Sequence, residues 1–77
     1  MAETGDKYAR SSVARNSSTP VETLVQLAKD TVWHVRRDVV SNPRTPVRTI
    51  ESLGNDPDER VRSFAEYKLG QSKHPIR

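Results

Sequence analysis

Val35-Arg36-Arg37-Asp38-Val39-Val40-Ser41-Asn42-Pro43-Arg44-Thr45-Pro46-Val47, with Ile50, Leu53 and Asp56 after it, decides the fold, because nearly the same line stands 26 residues earlier. At that shift Arg10 falls on Arg36, Val13 on Val39 and Asn16 on Asn42. Thr19-Pro20-Val21 falls on Thr45-Pro46-Val47, and Thr23, Leu27 and Asp30 fall on Thr49, Leu53 and Asp56. Softer pairs fill in: Ala9 with Val35, Ala14 with Val40, Leu24 with Ile50, Ala28 with Gly54. A second step of the same length puts Val35-Arg36 on Val61-Arg62. Self-similarity at a fixed period is the mark of stacked structural units, none of which can bury its apolar face alone.

Each unit reads as two short helices. Thr19 and Thr45 are N-cap candidates, each followed by a proline that suits the first helical position, and Glu22 completes a capping box with Thr19. Val21, Leu24, Leu27 and Ala28 then recur at helical spacing, as do Val47, Ile50 and Leu53. Both helices are short enough to be partly 3₁₀. Asp30 and Asp56 are the caps that follow, and Asp56-Pro57-Asp58-Glu59 adds acids at a helix N-terminus. The other helix of each unit carries Ala9, Val13 and Ala14, then Val35, Val39 and Val40, then Val61, Phe64, Ala65 and Leu69. The first of these opens near Thr4 or Asp6. Asn16 and Asn42 end two of them, in the left-handed conformation asparagine tolerates, and Pro43 forbids continuation. Lys68-Leu69 stands where Asn42-Pro43 should recur, so the last helix runs on to Gly70 with Glu66 and Lys68 outermost, as a terminal cap does.

This organises the chain as a lead and helix start over 1–8, a helical repeat domain over 9–70 (units 9–34, 35–60 and 61–70) and a disordered tail over 71–77. The fold class is all-α, a short solenoid of two and a half helix-pair repeats.

The Asn, Thr-Pro, Leu and Asp spacings resemble the leucine-rich repeat variant family over roughly residues 9 to 69. The resemblance implies a right-handed stack of alternating α- and 3₁₀-helices, related in shape to HEAT and armadillo solenoids. It implies little about function, since a solenoid is a scaffold. Some members of the family carry a cysteine cluster for iron–sulfur; this chain has no cysteine, so that feature does not transfer.

Composition removes several function classes. With no cysteine there are no disulfides, thiolate ligands or cysteine nucleophiles, which suits a reducing cytoplasm. The polar N-terminus and the lack of a long apolar run argue against a secretion signal and against a membrane span. No cofactor and no metal site is expected: His34 and His74 are the only histidines and do not stand at ligand spacing. His34 has Asp38 four residues on, which could orient an imidazole, but no nucleophile completes a catalytic set. The chain reads as a non-enzyme.

Comparison between units points to contact residues. Val32 aligns with Asp6 and Asp58, and Trp33 with Lys7 and Glu59, so both apolar side chains stand where sister units are polar. Exposed there, they would make a contact surface with Arg36 and Arg37. Alternatively, Trp33 folds back over Tyr8 or the preceding helix to supplement a small core. Val25, aligned with Glu51, is a weaker candidate.

Arg10, Arg36 and Arg62 recur at the same period and would stack in a column. Packed helices lie about 8–10 Å apart, and such a column could follow a phosphate backbone with charges about 3.4 Å apart. Arg15, Arg37, Arg44 and Arg48 would widen it. The structural alternative is that each arginine pairs with Asp30, Asp56 or helix-end carbonyls. A helix-turn-helix reading leaves the 26-residue period unexplained.

The expected function is therefore a protein-protein interaction module, in keeping with a small bacterial or phage accessory factor that binds a host protein. Nucleic-acid binding through the arginine column is the alternative, and pairing of the chain with itself through an open end is a further expectation.

Overall fold

The structure, a computed structural model, describes residues 6–72. It is all-helical: α1 (Lys7–Arg15), α2 (Val21–Leu27), α3 (Trp33–Ser41), α4 (Val47–Leu53) and α5 (Glu59–Ser72). The boundaries of α3 and α4 repeat those of α1 and α2 at a shift of 26, and α5 starts at the same beat. Helix α3 packs on α1 and α2, and α5 packs on α3 and α4, so each unit rests on the one before it. Between them lies one core of Ala14, Leu24, Val35, Val39, Val40, Ile50, Leu53, Val61 and Ala65. The core is mostly small and β-branched, as close approach of short helices requires.

The Thr-Pro pairs work differently from their expected role. Pro20 and Pro46 themselves stand at the N-cap, with ψ of 150° and 147°, and no side chain caps α2 or α4. The Pro20 carbonyl accepts from the amides of Thr23 and Leu24 and so starts the helix. The threonines face backwards: Thr19 Oγ1 donates to the Val13 carbonyl and Thr45 Oγ1 to the Val39 carbonyl, both at 2.6 Å. They close the C-terminus of the preceding helix, whose last carbonyls have no intrahelical partner. Glu22 is exposed, and the capping box does not form.

The asparagines are also not left-handed. Asn16 and Asn42 have φ of −74° and −76° with extended ψ, as the residue before a proline must be in the case of Asn42. Their value lies in the side chain. Asn42 is buried and its Nδ2 donates to the carbonyls of Ala14 (2.7 Å) and Asn16 (2.9 Å), while its Oδ1 accepts from the Arg44 amide. One amide thus satisfies the end of α1 from the neighbouring unit.

Two further expectations change. Both short helices are α-helical over seven residues, not 3₁₀. Helix α5 passes through Gly70 to Ser72, so the expected tail begins as helix at Gln71 and Ser72; residues 73–77 lie outside the described residues.

Candidate interaction surface

The arginine column is a ladder of ion pairs and carbonyl contacts along the stack. Arg10 meets Asp30 through Nε (2.6 Å) and Nη2 (3.2 Å), and Arg36 meets Asp56 in the same bidentate way at 2.6 and 2.9 Å. Arg36 Nη1 also donates to the Asp30 carbonyl at 2.6 Å. Arg62 donates to the carbonyls of Asp56 (2.9 Å) and Pro57 (3.2 Å). The aspartates hold more than the arginines, since Asp30 and Asp56 accept the amides of Val32 and Asp58 and fix the turn into the next helix. Burial pushes the Asp30 carboxyl up, but the hydrogen bonds of Arg10 and Val32, with the charges of Arg10 and Arg36, outweigh it and leave it below its usual value. The Arg10 and Arg36 guanidiniums are correspondingly harder to deprotonate, chiefly through their hydrogen bonds to Asp30 and Asp56. The guanidiniums of Arg10 and Arg36 are spent inside the fold.

Asp38 does not orient His34. It is buried between α1 and α3, where it accepts the Ser11 hydroxyl and pairs with Arg37 at 3.1 Å and Arg15 at 3.9 Å. A buried carboxylate needs such partners, because desolvation of an unpaired one is expensive.

Val32 and Trp33 are half-buried and pack against the core, so the fully exposed pair expected from the alignment is not what forms. Trp33 turns forward towards the next unit. The Arg60 guanidinium lies 3.8 Å from its ring centroid, and that of Arg37 lies at 5.2 Å. His34 meets the indole edge-on at 5.8 Å and stacks on Tyr8 at 6.2 Å. Val32 costs the unit a cap: at the matching positions Asp6 accepts from the Tyr8 amide and Asp58 from the Arg60 amide, both through Oδ1, whereas α3 has no side-chain cap.

Arg60 is held by Asp58 through Nε (3.0 Å) and Nη2 (2.8 Å). The Asp58 carboxyl is lowered to about 2, first by the Arg60 side chain and then by the Arg60 amide. Beside this stack, on the α3–α5 flank, opens a groove of about 450 Å³ lined by Arg37, Glu59, Arg60, Ser63, Phe64 and Tyr67. The rings of Phe64 and Tyr67 are parallel within 8° at 6.3 Å, and Tyr67 is 59 % exposed.

Of the six residues singled out from the sequence, Arg37 lines this groove and Trp33 underlies its Arg60 edge. Val32 packs on the core, and Arg10, Arg36 and Arg62 belong to the ladder. Arg60, Phe64 and Tyr67 were missed, yet the comparison that flagged Trp33 would have found two of them. Phe64 aligns with Ser12 and Asp38, and Tyr67 with Arg15 and Ser41.

Among the described residues no three His, Asp or Glu side chains gather as metal ligands, and no helix is long and apolar enough to cross a membrane. No curated protein and no solved structure matches the chain. The leucine rich repeat variant family model matches residues 33–58, a span of one full period that opens on α3 and closes just before α5. The chain is similar to that family over residues 33–58, and its described residues form an all-helical repeat.

Proposed function

We propose that the chain is a non-enzymatic interaction module that seats a segment of another protein in the α3–α5 groove. One observation carries this reading: two guanidiniums, Arg37 and Arg60, stand beside the stacked Phe64–Tyr67 pair in one open groove. Tyrosine and arginine are among the residues enriched where binding energy concentrates at protein interfaces. A fitting segment places an apolar side chain against Phe64 and Tyr67 and a carboxylate towards Arg37. Trp33 and Val32 act underneath, by fixing the Arg60 edge of the groove. The setting we propose is that of a cytoplasmic accessory factor of bacterial or phage origin acting on a host protein.

The test is capture by the tagged chain, with Tyr67→Ala and Arg37→Ala beside the parent and all three shown to be equally helical. The same partner, identified by mass spectrometry, should be retained by the parent and lost from both variants. Equal retention by all three rejects the groove as the site.

A second reading, nucleic-acid binding, has the net charge of +3 and the exposed Arg15, Arg44 and Arg48 in its favour. The Arg10–Arg36–Arg62 column contributes less to it, since two of the three meet carboxylates face to face. Its signature is a duplex-DNA mobility shift that fades steeply with salt. No shift even at low salt rejects it.

A further inference from the structure

The groove carries more negative charge than its two guanidiniums suggest. Asp38 accepts from Arg37 Nη2 at 3.1 Å, Asp58 accepts from Arg60 Nε and Nη2 at 3.0 and 2.8 Å, and Glu59 stands on the lining itself. Three carboxylates thus accompany two arginines. The repeat does not require this arrangement. Ser11 and Ser63 occupy the register of Arg37, Tyr8 and His34 that of Arg60, and Ser12 and Phe64 that of Asp38. Asp38 is nevertheless buried, at 4 % exposure, with the Ser11 hydroxyl on its other oxygen. Burying a carboxylate is costly even when it is paired, and the units on either side stack without one at this position. The two arginines also differ in what they have left to offer. Arg60 gives Nε and Nη2 to Asp58 and lies over Trp33. Arg37 is held through Nη2, and among the described residues its Nε and Nη1 make no hydrogen bond.

We propose, building on the groove as the binding site, that Asp38 and Asp58 are its specificity-determining residues: they confine it to a sparsely charged segment that brings one carboxylate to Arg37, and they turn away runs of acidic residues. A lone carboxylate gains the directed hydrogen bonds of Arg37 at short range. Each further acid on the segment meets an arginine already matched by its own carboxylate, or meets Glu59. It gains little for the water it gives up, and unfavourable charge of this kind separates right partners from wrong ones.

Hexaglutamate, titrated into the full chain with Trp33 fluorescence as the readout, tests this, because both guanidiniums contact that indole. The parent should bind it weakly. Asp38→Asn/Asp58→Asn should bind about tenfold tighter at low salt. The gain should vanish at about 1 M salt, where charges are screened beyond about 3 Å. Asp58→Asn alone should give part of the gain, and asparagine also caps a helix start, so this variant folds even if the double one does not. Glu22→Gln/Glu51→Gln removes the same charge from exposed sites on α2 and α4 and should bind like the parent. Arg37→Ala, added to the double asparagine variant, should remove most of the gain. Equal binding by the parent and the asparagine variants overturns the proposal, as does an equal gain in Glu22→Gln/Glu51→Gln or a gain that survives Arg37→Ala. Failure of the groove as the binding site looks different: partner capture is then unaffected by Tyr67→Ala, and the proposal falls with it. If capture depends on Tyr67 but the asparagine variants gain nothing, the groove stands and only the role of Asp38 and Asp58 is lost.

Discussion

Arg60 lies over the face of Trp33 at 3.8 Å, across the boundary between two repeat units, and Asp58 holds it there through both guanidinium nitrogens it can reach. The cation gains from the negative face of the indole, and the carboxylate fixes where the cation sits. The contact joins the start of α3 to the start of α5 and forms one edge of the groove.

This arrangement titrates in acid. The Asp58 carboxyl is held at about 2 in the folded chain against an ordinary 3.8, so its contribution is complete above the ordinary value and is lost as pH falls through about 2. Trp33 is the single tryptophan, so its fluorescence should change over that window as Arg60 is released. Asp58→Asn should show the released signal at neutral pH, and an identical acid transition in that variant would contradict the assignment.

Two asparagines at the same register should respond unequally to one substitution. Asn42→Asp removes the donor to the Ala14 and Asn16 carbonyls and puts negative charge at the C-terminus of α1. It should cost about 2–3 kcal/mol in urea unfolding. Asn16 accepts from the Ser18 amide through Oδ1, a role aspartate also fills, and it is exposed. Asn16→Asp should change stability by less than about 0.5 kcal/mol.

The ladder is expected to be unequal along its length. Arg36→Ala strands the buried Asp56 carboxylate and should destabilise the fold by about 3 kcal/mol. Arg62 meets backbone carbonyls, one of them exposed, and Arg62→Ala should cost less than about 1 kcal/mol. Equal losses in thermal unfolding would show that the carboxylate is not the reason.

Trp33→Ala should lower stability by about 2 kcal/mol, roughly half the cost of deleting a fully buried tryptophan. The helical signal should persist below the new melting transition. No loss of stability would return Trp33 to the exposed surface that the alignment of units suggests.

Much of the architecture was readable from particular residues. The 26-residue shift places all five helices, because a stacked unit must repeat the side chains that meet its neighbours. Pairing of the arginines with Asp30 and Asp56 was also available as an alternative, since both recur at the same period. The Thr-Pro pairs misled because a threonine before a proline is a sound local cap. Here the hydroxyl instead reaches six residues back to a helix end, a contact that a forward reading of the local motif overlooks.

The sequence by itself determined the period, the helix count and the apolar register, because those depend on local spacing repeated along the chain. Tertiary structure decided which side chains of that register are used up. It closed Arg36 onto Asp56, buried Asp38 beneath Ser11, and turned Trp33 under Arg60. It also brought Arg37 to one groove with Phe64 and Tyr67. The physical reason is that each contact joins residues far apart along the chain, and their meeting depends on how the helices are set against one another.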